Sequence, residues 1–390
     1  MRDRLIIAGR LLRAVLRSRG DADLRGDLLA RLLDYEEYAR LKDAIAAPRA
    51  SVTTATGGAS FPLLVTTNKG LFVLHDGIWR CLFPVVCFGI ARHGDTLYLG
   101  ASAGIHSFIL KVRLFGAPAD CLPTASQILF RYETRYHNER VHQIAYDPLN
   151  NQVLCANSRR NSVLAIDAET GKVVDEKFLF IDGTGFPVFT DQNHVNSVTL
   201  HGDIVLFAVH NAGGNHGALG FVANERVRAY RYQARGVHDV VIHDGGIMFT
   251  DSFRDALADS APDRNGAIRY RGDDYLTAAT DAATARKVVL RGLALRGGTV
   301  AVGFSAFGRR DARLSAGAGG VIVIGRDGTS QTIEGPFAQV YDVLPFDGVR
   351  SDASDAVYTA DELDRMFGRD VGLLLYDAPV ARNVRMAELR

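Results

Sequence analysis

Two different patterns of apolar and polar positions divide this chain. Up to residue 49 the apolar residues recur at helical spacing: Leu5, Ala8, Leu12, Val15 and Leu16 share one face, while Arg10, Arg13 and Arg17 fall largely elsewhere on the wheel. This predicts helices over residues 4–19 and about 23–47, the second capped by Asp23. Pro48, Ser51, Thr53, Thr54, Gly57 and Gly58 then mark a linker over residues 50–60. From residue 61 onward the pattern becomes short apolar runs broken by Gly, Asp and Asn turns, which predicts β-strands. The stretch Asn193-His194-Val195-Asn196-Ser197-Val198-Thr199-Leu200 is typical: a strand, the turn His201-Gly202-Asp203, and a second strand from Ile204 to His210.

That stretch recurs. Segments beginning at Phe88, His142, Asn196, His238 and Arg291 each run through a turn to a polar residue 14 or 16 positions on: Ser102, Ser158, His210, Ser252 and Ser305. A sixth start, Tyr341-Asp342-Val343-Leu344, has no such partner after it. The starts are spaced by 54, 54, 42, 53 and 50 residues, about one four-stranded sheet each. Leu63 to Thr67, Gly70 to His75 and Ile78 to Phe83 are three strands lacking a first one, which a strand at 340–346 supplies. The fold expected is therefore all-β: a six-bladed β-propeller over residues 61–349, closed by its C-terminal inner strand. Residues 350–390 form a tail with a helix near Ala360–Phe367 and a strand near Val371–Tyr376.

Composition adds mainly exclusions. Lys plus Arg number 45 against 44 acidic residues, a net charge of +1, which gives no basis for a nucleic-acid partner. Cys81, Cys87, Cys121 and Cys155 lack any paired metal spacing and read as buried thiols in a reduced compartment. No run of 18 uncharged apolar residues occurs, and the first apolar run is cut by Arg10 with no cleavage signal after it. A cytoplasmic location follows as the expectation. The basic N-terminal helix is expected to lie on a subunit or domain interface, or alternatively on an anionic membrane surface.

The first strand of each propeller blade lines the central channel, so equivalent repeat positions form rings. The first ring reads Phe88, His142, Asn196, His238, Arg291 and Tyr341; the next reads Gly89, Gln143, Ser197, Asp239, Gly292 and Asp342. Imidazoles, an amide, a guanidinium and a phenol together can bind a metal, hold an anion and move a proton. Taken singly, each has a structural explanation: a hydrogen-bonded histidine, a packed tyrosine, or Arg291 paired with Asp239 or Asp342. His194 and His210 flank the Asn196 unit, and His210 stands where four other blades carry Ser. Those serines are expected to cap blade turns. His93, His201 and His243 are expected in surface turns.

The units Val237-His238-Asp239-Val240…Thr250-Asp251-Ser252 and Val153-Leu154-Cys155-Ala156-Asn157-Ser158…Val163-Leu164-Ala165-Ile166-Asp167 resemble blades of the gluconolactonase, strictosidine-synthase-like and NHL propellers. That resemblance implies a divalent cation held in the channel by Asn and acidic residues. Asn196 matches the Asn by position, Asp239 and Asp342 are candidate acids, and His142 and His238 stand where Asn is commoner. Separately, His194-Val195-Asn196-Ser197-Val198 resembles arylsulfate sulfotransferase, also a six-bladed propeller. It implies a histidine role for His142, His194 or His238 in taking a sulfuryl group, although His210 replaces the expected arginine.

Three functions are compatible with these residues. The first is a small-molecule hydrolase or lyase with a divalent metal on His142, Asn196 and His238. Imidazole donors favour zinc or iron over calcium. Tyr341, His194 or His210 would move the proton, and Arg291 would hold an oxyanion or carboxylate. The second is metal-free group transfer through a channel histidine. The third is a non-catalytic propeller that binds a protein partner.

Overall fold

The structure is a computed structural model that describes residues 51–54, 61–103, 106–132, 141–180, 193–213, 216–233, 236–252, 254, 256–260, 268–271, 288–306, 319–326, 328–350 and 357–382. The helices expected before residue 49 lie outside them. The strands form six antiparallel sheets, each led by one inner strand: Cys87–His93, Val141–Asp147, Val195–His201, Val237–His243, Val288–Arg296 and Val340–Pro345. We number the blades one to six in that order. Each inner strand packs beside the next, and Val340–Pro345 packs beside both Val288–Arg296 and Cys87–His93. The chain is a six-bladed β-propeller.

Blade six joins the two ends of the domain. Val340–Pro345 pairs with Leu63–Thr67 in the register Leu63↔Pro345 to Thr67↔Val340, and Gly70–His75 and Ile78–Phe83 follow outward. The described residues form six apolar clusters, one in each gap between blades. The gap that closes the ring, between blades six and one, is filled by Leu64, Phe83, Leu97, Leu99 and Phe108, all fully buried. Closure thus rests on a buried apolar core of the same kind as those in the other five gaps.

The outer edges are covered unevenly. Ser51–Thr54, inside the stretch read as linker, pairs with Ile78–Cys81 on the outside of blade six. The tail helix, Ala360–Asp370, starts from a capping box between Thr359 and Glu362. It buries Leu363, Met366 and Phe367 against blades three and four, with the Phe367 ring 5.4 Å from Phe221 and 5.5 Å from Tyr230. The strand Leu374–Pro379, a few residues later than expected, then pairs with the outer strand of blade three, and Ala381–Arg382 pairs with that of blade two. One tail therefore ties two blades together.

All four cysteines are free and buried, as the sequence indicates, and burial pushes the Cys87 and Cys155 thiols up. Among the described residues no helix is long and apolar enough to cross a membrane. Against expectation, His201 and His243 are not surface turn residues: His201 is half-buried and its Nε2 accepts the Tyr358 N–H at 3.1 Å, and His243 departs further. It is buried, and its Nε2 lies 2.9 Å from Oδ1 of the fully buried Asp259. The hairpin turn follows at Asp244, so the last strand residue still faces the core.

Candidate active site

Every inner strand carries one extra residue relative to its neighbour, at the first or the second ring position. The register slips at Phe88, across His142 and Gln143, and at Asn196, Asp239, Gly292 and Tyr341. A β-bulge breaks the alternation of strand side chains, so two consecutive residues can turn to the same face. Six bulges falling on these two ring positions therefore build two tiers of side chains at the axis instead of one. Adjacent inner strands come so close there that a Cβ on Gly89 would sit 2.4 Å from the His142 carbonyl oxygen. One on Gly292 (φ +78°) would sit 2.5 Å from the Val343 nitrogen.

The first tier forms an arc of rings. Tyr341 and Phe88 lie 4.6 Å apart between centroids, and Phe88 and His142 6.0 Å. The arc continues from His142 to His194 (4.9 Å), His194 to His210 (5.6 Å) and His210 to His238 (6.0 Å). His194 reaches the arc from a left-handed backbone (φ 57°), fixed by the Asn161 side-chain oxygen on its N–H and the His210 N–H on its carbonyl. Arg291 stands close enough to His142 and His238 to act on both electrostatically. The predicted residues His142, His194, Asn196, His210, His238, Arg291 and Tyr341 thus share one end of the channel.

Both ring imidazoles of the repeat are held neutral. Burial, then His194, Arg291 and His210, keep His142 well below the usual histidine range. Burial, then Arg291 and His210, do the same to His238. Chemistry fixes the His238 tautomer. Its Nδ1 lies 2.8 Å from the Gly236 carbonyl, which only accepts, so Nδ1 carries the proton and the lone pair is on Nε2. The Asn196 amide is fixed likewise: Nδ2 donates to the Val237 carbonyl at 2.9 Å, leaving Oδ1 buried with no partner among the described residues. His142 Nε2 is in the same condition.

The second tier closes the axis beneath. Gln143 Nε2 donates to Asp239 Oδ1 (2.7 Å) and Asp342 Oδ1 (3.2 Å). Each of these three side chains also accepts an N–H from the following blade: Gln143 from Val198, Asp239 from Gly292, Asp342 from Ile90. They alternate with Gly89, Ser197 and Gly292, small residues that leave room for the reach. Burial, then the Asp342 charge, push Asp239 up to about 6, against the pull of Arg350, the Gly292 amide and Thr250.

Arg350 pairs with Asp342 through both terminal nitrogens, at 2.8 and 2.5 Å, and donates to the Ile90 and Val343 carbonyls. On sequence alone Arg350 falls in the tail and Arg291 is the candidate partner of these carboxylates. Arg350 takes Asp342 and Gln143 takes Asp239. Nothing local marks Arg350, which follows the turn after the last inner strand. Below it a cavity of about 190 Å³, lined by Ile90, Ile144, Leu200, His201, Val349 and Arg350, opens at the other end of the channel.

Two of the register serines, Ser252 and Ser305, bridge blades rather than cap turns. Ser252 Oγ donates to the Leu290 carbonyl, and Ser305 Oγ donates to the Val340 carbonyl and accepts its N–H. Among the described residues, no group of three or more His, Cys, Asp and Glu side chains is spaced to hold a metal ion. The expected donor set of His142, Asn196 and His238 consists of two imidazoles and an amide.

No protein-family model and no curated protein matches the chain. Similar solved structures include the nidogen/laminin complex, with 10% identity and TM-score 0.48 over 73% of this chain and 97% of that one. A putative 6-phosphogluconolactonase from Bacteroides fragilis has 13% identity and TM-score 0.42, over 75% and 99%. A calcium-binding regucalcin from Agrobacterium tumefaciens has 13% identity and TM-score 0.41, over 77% and 92%. None of them assigns an activity to this chain.

Proposed function

We propose that the chain is a small-molecule enzyme working at the first tier of the channel, a hydrolase or lyase that acts on a carbonyl-bearing or anionic substrate. The observation that carries this reading is the arc of four imidazoles beside Arg291, with His142 and His238 kept neutral by burial. A neutral imidazole with an available lone pair is a base at neutral pH. A guanidinium opposite can hold a carboxylate or a developing oxyanion. Tyr341, whose hydroxyl donates to Gln339 Oε1 at 2.9 Å, and His194 complete the groups able to pass a proton. The closed second tier confines reactants to this mouth. The test is a set of esters and lactones offered to the purified chain, with acid release followed by indicator. Turnover in the parent and at least a hundredfold loss in His142→Gln and His238→Gln are expected, since general base groups contribute on that scale. No turnover in the parent, or equal turnover in the variants, sinks the reading and leaves the partner-binding propeller.

A metal-assisted form of the same reading is favoured by two buried atoms, His142 Nε2 and Asn196 Oδ1. With His238 Nε2 they would offer two neutral imidazoles and one amide oxygen, a set suited to zinc or iron. Calcium suits it less, because the carboxylates of Asp239 and Asp342 are engaged in the tier below. Such an ion would polarise a carbonyl or acidify a water. Elemental analysis of the purified chain separates this form from metal-free chemistry, including transfer through a histidine nucleophile.

A further inference from the structure

The second tier divides the channel, and the cavity on its far side is built differently from the mouth. Its walls are mainly apolar: Ile90, Ile144, Leu206, Val241 and Leu344 come to it from five of the six blades. The polar side chains that line it have donors left over. Arg350, whose side chain is nine-tenths buried, uses both terminal nitrogens on Asp342 and on the Ile90 and Val343 carbonyls. Its Nε has no partner among the described residues. Arg92 spends Nε on the Gly94 carbonyl and Nη1 on that of Phe346, which leaves Nη2. The Tyr358 N–H can only donate, so His201 carries its lone pair on Nε2 and its proton on Nδ1. Burial lowers His201 from the usual histidine range, which keeps that ring neutral. Thr199 adds a buried hydroxyl. No carboxylate is among the described residues that line the cavity.

We propose that this cavity is a second small-molecule site, one that takes a small monocarboxylic acid with an apolar body, the body against the strand walls and the carboxylate among Arg350, Arg92 and His201. It stands apart from the chemistry proposed for the mouth, from which the Gln143, Asp239 and Asp342 interlock separates it. Size limits the body. At about 190 Å³ the cavity falls short of a site for a drug-sized ligand, whereas a cavity of about 150 Å³ holds benzene. A single ring or a short chain is therefore what fits. Charge selects the head group. A carboxylate only accepts, and bonds to a guanidinium are among the strong ones. A cation would meet two guanidiniums and no acid, and a plain hydrocarbon would leave the donors unmatched.

The test titrates benzoate, and benzamide as its uncharged counterpart, into the full chain by calorimetry. Benzoate should bind at least about tenfold more tightly. In NMR spectra of the benzoate complex the His201 ring signals should move, while those of His142 and His238 stay in place. Val349 lines the rim of the cavity and is 47% exposed, so substitution there leaves the fold intact. Val349→Glu should weaken benzoate about tenfold through charge repulsion, and Val349→Lys should not weaken it. No benzoate binding at about 10 mM, tenfold above a millimolar Kd, overturns the proposal. Equal affinity for benzamide, or an affinity indifferent to Val349→Glu, does the same. A shift of His142 or His238 in place of His201 puts the acid at the mouth beside Arg291, and this also overturns it.

Discussion

Gln143 and Asp239, 96 residues apart in sequence and two blades apart in the ring, meet at 2.7 Å on the propeller axis. Through this bond blade two holds blade four, and Gln143 reaches blade six at Asp342 from the same nitrogen. The second tier is thus an interlock across the channel, where a propeller otherwise relies on contacts between neighbouring blades. Its electrostatics depend on Arg350.

Arg350→Ala should be the most destabilising single change at the axis. It leaves Asp342, whose side chain is fully buried, without its cation and takes donors from the Ile90 and Val343 carbonyls. Breaking a buried pair by removing one partner costs about 3–5 kcal/mol. Urea unfolding should register that loss, while Arg350→Ala combined with Asp342→Asn should recover part of it. A single variant as stable as the parent contradicts the interlock.

Acid should destabilise the fold through the mouth. His142 and His238 have depressed values in the folded chain, so the unfolded chain takes up their protons first. Their contribution is complete above about pH 6.5 and falls below it, by up to about 1.4 kcal/mol per pH unit for each ring. Asp239 works in the opposite sense. Raised to about 6, it holds its proton longer when folded, so its contribution is present below about pH 4 and is lost as pH rises through 6. Asp239→Asn should therefore steepen the loss of stability between pH 6 and 4. Denaturant midpoints across pH 4–8 give both slopes, and a shallower variant refutes the assignment.

Gly89→Ala should disturb the ring without touching any side chain of the mouth. The new methyl would lie 2.4 Å from the His142 carbonyl oxygen and 2.9 Å from the Gln143 Cα, both backbone atoms that cannot swing away. Overpacking of this kind costs about 1–3 kcal/mol. The thermal midpoint should drop, and the His142 ring signals should shift in NMR spectra. An alanine accepted with neither change contradicts the close strand approach.

Ending the chain after residue 350 should leave the ring closed but sticky. It removes the helix bearing Leu363, Met366 and Phe367 and bares the outer strand Arg226–Tyr232 of blade three. An uncovered edge is a template for pairing with another chain. Light scattering should show association absent from the parent, with β-structure retained by circular dichroism. A monodisperse truncated chain argues against the tail as an edge cover.

The architecture was legible in the sequence because a propeller blade is a local object. Hairpin turns, apolar runs and a spacing near 50 residues are set within each blade, and the orphan strands at 63–83 and 340–345 could be joined by counting alone. The same counting put Phe88, His142, Asn196, His238, Arg291 and Tyr341 at one level, since register in a repeat is inherited from the backbone. What each residue does at that level was decided only by the tertiary structure. A bulge turns two residues to the axis instead of one, and a sequence does not print where an extra residue sits. His194 joins the arc through a left-handed backbone that Asn161, from another blade, helps fix. Arg350 becomes the cation of the axis, although its nearest sequence neighbours belong to a turn. The bond from the Asn196 amide to the Val237 carbonyl spans two blades. These are hydrogen bonds between residues tens to hundreds of positions apart. Their geometry exists only once the six inner strands have closed the ring.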